Sequence, residues 1–104
     1  MDRFGLSAKI LATPGQRDAL VAQLLEAARL LTPLAGCELY IIHVVPSEPD
    51  AVWVTEVWRS EAEHAASLKM DSVRALMARA RPLIAGAAER IRLVPVGGKG
   101  LTPA

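Results

Sequence analysis

The order of its predicted elements indicates an α+β protein, with a four-stranded antiparallel sheet and helices on one face. Runs rich in β-branched and aromatic residues alternate with amphipathic helical stretches, in the order strand, helix, strand, strand, helix pair, strand. Only a few turn residues separate the second and third strands, which favours an antiparallel hairpin. Together these observations predict the split β-α-β arrangement of ferredoxin-like folds.

The first half of the chain is predicted to form a strand, a helix and a second strand. Residues 5–12 alternate between two faces, and the pair Pro14-Gly15 ends this strand. Residues 16–31 carry apolar side chains at the spacing of an amphipathic helix. Residues 37–45 are nearly all apolar, which indicates a strand that is covered on both faces.

The second half is predicted to begin with a turn over residues 46–50 and a third strand over residues 51–58. Ser60 and Glu63 have the spacing of a capping box, which would open a helix that ends at about Leu68. The remaining predicted elements are a helix over residues 71–81 and a last strand over residues 89–96.

The chain is short enough to form one hydrophobic core, since it has 104 residues. We predict a single domain over residues 1–96, followed by a flexible tail over residues 97–104, where glycines cluster. No internal repeat divides the sequence.

Charge and cysteine content exclude several classes of protein. The net charge is +1, with 12 basic and 11 acidic residues interspersed, so no basic stripe for nucleic acid is expected. Apolar runs stop well short of the roughly 20 residues that span a bilayer, and the N-terminus lacks the layout of a signal peptide. The single cysteine, Cys37, cannot form an internal disulfide. We therefore expect a cytoplasmic protein with no membrane partner.

The apolar content predicts a homodimer. Apolar residues make up 52% of the chain, which is high for a soluble protein of this size. The predicted helices cover one face of the sheet, yet the second strand is apolar on both sides. Packing of two sheets face to face would cover the second face.

Two histidines are candidate general bases, because the ordinary pKa of imidazole lies near neutrality. His64 falls on the same predicted helix face as Leu68, and the alternative is an exposed or partly buried helical histidine without a catalytic role. His43 shares a strand face with Ile41, and the alternative is a hydrogen-bonded core histidine. The histidines and the few carboxylates lack the spacing of metal ligands, so no metal is expected.

Four further side chains are candidates for binding a substrate. Glu56 and Trp58 fall on one face of the third strand, and Trp53 falls on the other by parity. Tyr40 could donate a hydrogen bond to a phenolic substrate. The alternatives are a salt bridge or a bond to neighbouring backbone for Glu56, core packing for Tyr40, and a place at the dimer interface for one of the tryptophans.

Several short motifs resemble those of one known family. They are Pro14-Gly15-x-Arg17 before the first helix, Gly36-Cys37-x-Leu39-Tyr40-x-x-His43 opening the second strand, and Glu56-x-Trp58-x-Ser60 closing the third. With the helix pair that follows, they are similar to the antibiotic biosynthesis monooxygenase domain, over roughly residues 5–96. The resemblance implies a dimeric α+β barrel in which each pocket lies between a sheet and its own helices.

The resemblance also implies a chemistry. Some members oxygenate phenols or hydroquinones with molecular oxygen and use neither metal nor flavin, so no cofactor is expected. The substrate anion then passes an electron to oxygen, while the protein deprotonates and orients the substrate and excludes water. Many members carry a histidine at the position of Ser67, whereas here the histidine comes earlier, at His64. Haem-cleaving members use an asparagine, and this chain has none.

The function expected from the sequence is therefore cofactor-independent oxygenation of a small aromatic phenol or quinol. His64 or His43 would take the phenolic proton, Tyr40 would orient the ring, and Trp58 would form an apolar wall. Two alternatives stay open. One is a non-catalytic dimer that binds a hydrophobic ligand or has a structural role, and the other is an isomerase or decarboxylase that acts on a small cyclic acid.

Overall fold

The structure is a computed structural model that describes residues 2–101. Its strands are β1 (Phe4–Ala12), β2 (Cys37–Val45), β3 (Glu48–Trp58) and β4 (Ile84–Leu93), and its helices are α1 (Arg17–Leu31), α2 (Glu61–Ser67) and α3 (Asp71–Ala80), with a 3₁₀ turn at Arg81–Leu83. The sheet order is β2-β3-β1-β4, and all neighbouring strands are antiparallel. The predicted ferredoxin-like α+β fold is confirmed. No helix in this part of the chain is both long and apolar enough to cross a membrane.

The hydrophobic core lies between the sheet and the helices. One cluster of buried side chains comprises Ala12, Leu20, Leu24, Val52, Val54 and Ala80. A second cluster comprises Phe4, Leu6, Leu31, Trp58 and Val73. In the second cluster Phe4 of β1 pairs directly with Trp58 of β3, and the indole is 1% exposed. This pairing places the end of β3 and the start of α2 beside the first residues of the chain.

The opposite face of the sheet carries large apolar side chains that are exposed. Four of them, between 37% and 49% exposed, are Leu11, Ile41, Ile91 and Leu93. The register pairs both Ile41 and Ser7 with Thr55, and it pairs Ile91 with Ser7, so these side chains share the face away from the helices. We call this surface the outer face.

Two strands begin earlier than the sequence predicts. β3 begins at Glu48 rather than at residue 51, because Val45 already pairs with Glu48 across a tight turn. Pro49 is tolerated there because β1 pairs with β3 only from Ala51 onward, which leaves that side of β3 free of a neighbour. β4 begins at Ile84 rather than at residue 89, since its small residues pair with β1 despite their loop-like composition.

The chain leaves the sheet earlier than predicted as well. β4 ends at Leu93, and residues 94–101 form no helix or strand. Pro95 still packs on β1, since a Cβ atom added at Gly5 would lie 3.0 Å from Cγ of Pro95. Residues 102–104 of the predicted tail lie outside the described residues, and the predicted domain limits remain a prediction.

Candidate functional site

Helix α2 brings His64 onto the sheet. Ser60 precedes the helix in an extended conformation, and its Oγ accepts a hydrogen bond from the backbone nitrogen of Glu63 at 3.3 Å. Ser67 donates a hydrogen bond from its Oγ to the carbonyl oxygen of His64 at 2.6 Å. Both inward residues of this short helix are buried, and His64 is 7% exposed. The cap and the burial together determine where the imidazole lies.

The imidazole of His64 lies among two aromatic rings and a carboxylate. It stacks on Phe4, with 4.7 Å between ring centroids, and meets Trp58 edge-on at 5.5 Å. Its Nε2 lies 3.8 Å from Oε1 of Glu56. The same Oε1 accepts a hydrogen bond from Nε1 of Trp58 at 3.0 Å. Trp58 therefore fixes the carboxylate that faces the histidine.

The surroundings of His64 favour its neutral form. Burial is the largest effect, and it lowers the pKa of His64 below the ordinary value of 6.5. The carboxylate of Glu56 acts in the opposite direction, Arg90 lowers the pKa further, and Glu61 raises it. A neutral imidazole beside a carboxylate can accept a proton, and the carboxylate then stabilises the imidazolium that forms.

His64 opens onto a cleft of about 410 Å³ between α2 and the edge strand β4. The lining residues are Phe4, Leu6, Glu61, His64, Ala65, Leu68, Arg90 and Arg92. We call this space the His64 cleft. Its volume is within the roughly 300–1,000 Å³ that is usual for small-molecule sites, and its lining combines apolar side chains with a few charged ones.

A second cleft, of about 310 Å³, lies on the other side of α2. Trp58, Ser67 and Met70 contribute to it, together with the loop that joins α1 to β2. The ion pair between Arg59 and Glu63 also lines it. We call it the Trp58 cleft. It contains the indole but not the imidazole, so the candidate base His64 is reached from the His64 cleft.

Tyr40 lies next to Glu56 but outside the wall of the His64 cleft. The two residues pair across β2 and β3. Burial raises the pKa of Tyr40 well above its ordinary value of 10, and the charge of Glu56 adds to this effect. The hydroxyl therefore stays protonated at neutral pH. It lines a separate cleft between α1 and β2.

The outer face carries the other two candidates, His43 and Trp53. They pair with each other across β2 and β3. His43 is exposed, and its Nε2 lies 3.1 Å from Oγ1 of Thr55. The structure thus brings Glu56, Trp58 and His64 together and places His43 and Trp53 on the opposite side of the sheet.

Comparison with known proteins identifies the family. The family model for antibiotic biosynthesis monooxygenase matches residues 3–79. The chain belongs to this family. A search of the curated proteins found no match.

Solved structures of similar proteins agree with this assignment. A Chloroflexus aurantiacus protein, described as a candidate antibiotic biosynthesis monooxygenase, is 48% identical, with a TM-score of 0.89 over 96% of this chain and 99% of its own. A Nitrosomonas europaea protein of unknown function is 26% identical, with a TM-score of 0.77 over 100% and 97% of the two chains. A Pseudomonas aeruginosa protein is 21% identical, with a TM-score of 0.82 over 93% and 97%, and shows the shared fold.

Of the sequence candidates in this antibiotic biosynthesis monooxygenase family member, only His64 lines the His64 cleft, and the other lining residues include four from strands β1 and β4. Phe4 and Leu6 lie on the helix-facing side of β1, and Arg90 and Arg92 on the same side of β4. The alternation of the two arginines is visible in the sequence, but only the strand register shows that they face His64. In residues 2–101 no cluster of three or more His, Cys, Asp or Glu side chains could hold a metal ion.

Proposed function

We propose that this member of the antibiotic biosynthesis monooxygenase family oxygenates a small aromatic phenol or quinol in the His64 cleft, with molecular oxygen and no added cofactor. The observation that carries the proposal is the buried imidazole of His64 beside the carboxylate of Glu56, at the wall of a cleft of suitable size. Family membership and the likeness to the Chloroflexus protein support the reaction class.

The chemistry begins with a proton transfer. Neutral His64 takes the proton of the substrate hydroxyl, and the resulting imidazolium is stabilised by Glu56. The phenolate is electron-rich enough to pass an electron to oxygen. The apolar walls formed by Phe4 and Leu6 hold the ring and exclude water from the reacting atoms.

The overall reaction balances without another reductant. For a hydroquinone, one oxygen atom enters a ring C–H position, and the product is a hydroxyquinone. The second oxygen atom leaves as water, and the substrate supplies all four electrons. The proton that His64 has taken returns to the departing oxygen atom, so the base is regenerated in each turnover.

Oxygen uptake by metal-stripped protein against a panel of hydroquinones and anthrone-like phenols tests the proposal. We expect uptake above the spontaneous rate, and His64→Gln should reduce it about 100-fold, since a general base contributes roughly 10²–10⁴ in rate. His43→Gln removes the other histidine and should leave the rate unchanged. No uptake across the panel, or full activity in His64→Gln, would contradict the proposal.

The non-catalytic alternative has its own signature in the same experiment. Binding of a phenol in the His64 cleft, without oxygen uptake by the wild-type protein, would identify a ligand-binding protein. Turnover of a cyclic acid that proceeds without oxygen would indicate an isomerase or a decarboxylase.

A homodimer that packs two outer faces together also belongs to this proposal. The exposed apolar side chains of the outer face support it, because several large exposed apolar side chains on one face of a small protein are typical of an interface. A cytoplasmic location and the lack of a nucleic-acid partner stay predictions from the composition. They rest on the single cysteine, Cys37, and on the mixed charge.

A further inference from the structure

The β4 wall of the His64 cleft carries two arginines that the proposed reaction does not use. Arg90 and Arg92 are alternate residues of one strand, so their side chains leave the same face of the sheet. The register pairs Arg90 with Ala8 and Arg92 with Leu6, which places both on the helix-facing side. Both guanidinium side chains line the cleft together with His64.

The two arginines differ in their partners. Arg92 donates from its guanidinium to Oε1 of Glu61 at 3.0 Å, and its Cζ lies 5.3 Å from the ring centroid of Phe4. The side chain of Arg90 forms no hydrogen bond or ion pair with any residue in the range 2–101. Its five donors therefore remain available at the cleft wall.

The charge and shape of the cleft favour an anionic ligand. The lining residues Arg90, Arg92 and Glu61 carry one net positive charge when His64 is neutral, and Glu56, which lies outside the lining, balances it overall. Because Glu61 pairs with Arg92, the positive charge at the cleft wall is that of Arg90. A single free guanidinium matches a carboxylate, which it can bind through two parallel hydrogen bonds. The neighbouring apolar residues of β1 and α2 suit a ligand with an aromatic ring better than a wholly polar ligand.

We infer that the ligand of the His64 cleft is a hydroxylated aromatic acid, whose carboxylate binds Arg90 while its ring contacts Phe4 and Leu6. The orientation of its hydroxyl toward His64 rests on the proposed function, whereas the carboxylate site does not. A bound carboxylate also neutralises the charge of Arg90 near the imidazole. Because that charge lowers the pKa of His64, acid binding should raise it.

A pair of probes of equal size separates charge from shape: 4-hydroxybenzoate and its neutral amide, 4-hydroxybenzamide. Calorimetric titration without oxygen should give about tenfold tighter binding of the acid, as a charge-assisted contact to one guanidinium predicts. Arg90→Gln should abolish this preference. Arg74→Gln makes the same charge change on α3, outside the cleft, and should retain it.

The His64 ring provides a second readout. In a proton NMR titration, 4-hydroxybenzoate should raise the pKa of His64, and 4-hydroxybenzamide should not. Arg90→Gln should remove the response to the acid. Equal affinities for acid and amide, or a preference for the acid that survives in Arg90→Gln, would overturn the inference.

Oxygen uptake distinguishes failure of this inference from failure of the proposed function. The substrates to compare are hydroquinone, 2,5-dihydroxybenzoate and 2,5-dihydroxybenzamide. Uptake with all three, together with equal binding of acid and amide, overturns the aromatic-acid assignment and leaves the oxygenation. An acid preference that depends on Arg90, without uptake of any substrate, supports the carboxylate site and overturns the oxygenation.

Discussion

Nε2 of His64 and Oε1 of Glu56 lie 3.8 Å apart, with both side chains largely buried. At this distance the pair attracts strongly only when the imidazole is protonated, so Glu56 matters most after His64 has taken a proton. The indole of Trp58 holds the carboxylate in place from the other side, through a hydrogen bond of 3.0 Å. Glu56, held in place by Trp58, therefore stabilises the imidazolium form of His64, which burial alone disfavours.

Replacing Glu56 with Gln should lower the pKa of His64 further, because the carboxylate is the largest of the effects that raise it. Turnover should fall about tenfold, since the imidazolium formed in the reaction loses its counter-charge. The pKa can be read by proton NMR from the ring signals of His64.

Glu48→Gln is the matched control for that change. Glu48 lies on the same strand but pairs with Lys9 at 2.6 Å, and no contact joins it to His64. The pKa of His64 should be the same as in the wild type. An equal shift in both variants would show that the general charge of the protein, not the local pair, governs the histidine.

Trp58→Phe should reduce the free energy of unfolding by about 2 kcal/mol, because it leaves a small cavity and removes the hydrogen-bond donor to Glu56. Urea denaturation measures the loss. A double-mutant cycle with Glu56→Ala, which removes the acceptor, isolates the hydrogen bond, and we expect a coupling of about 1 kcal/mol. Strictly additive effects would mean that only the packing of the indole contributes.

Stability should decrease as the pH falls below about 6.5. The pKa of His64 is lower in the folded protein than the ordinary value of 6.5, so the unfolded chain binds its proton first. The contribution of the neutral ring is thus fully present above that value and is lost as the pH falls toward the folded-state pKa. The groups that face the ring are Glu56, Glu61, Arg90 and Arg92, which carry opposing charges.

Chemical denaturation at a series of pH values between 7 and 5 measures this dependence. His64→Phe keeps a ring in the same space and removes the titrating group, so its stability should vary less over that interval. Identical curves for the wild type and His64→Phe would assign the acid sensitivity to other groups.

The fold could be predicted largely because its signals are local. The helical spacing in α1 and the alternation in β3 each depend on neighbouring residues, and the parity of β3 correctly placed Glu56 and Trp58 on one face. The early start of β4 was missed because its first residues are small and carry little strand signal.

The site could be predicted only in part, because it depends on register and on how α2 is rotated. Helix α2 has 7 residues, too few for a stripe to define its inner face. Leu68, which spacing groups with His64, lines the same cleft but is 51% exposed, whereas Ser67 is buried. The meeting of Phe4 with His64, and of Arg90 with the cleft, follows from pairing between distant strands that no local pattern encodes.

Ser60→Ala should test how strongly the helix cap positions the imidazole. Loss of the hydrogen bond from the Glu63 backbone should cost about 1 kcal/mol of unfolding free energy. It should also lower kcat more than it raises KM, since α2 carries the base. Ser72→Ala, on the exposed side of α3, is the control and should change neither quantity. An unchanged kcat in Ser60→Ala would show that packing alone positions His64.

Ile91→Glu should dissociate the proposed homodimer. Ile91 is 49% exposed on the outer face, and a carboxylate there would be buried without a partner if two such faces met. Analytical ultracentrifugation should give a dimer for the wild type and a monomer for the variant. Leu25→Glu places the same charge on α1, at a leucine that is 56% exposed on the helical side, and should remain dimeric. Dissociation by Leu25→Glu instead, with Ile91→Glu still a dimer, would place the interface on the helices and leave the outer face of the sheet without its proposed partner.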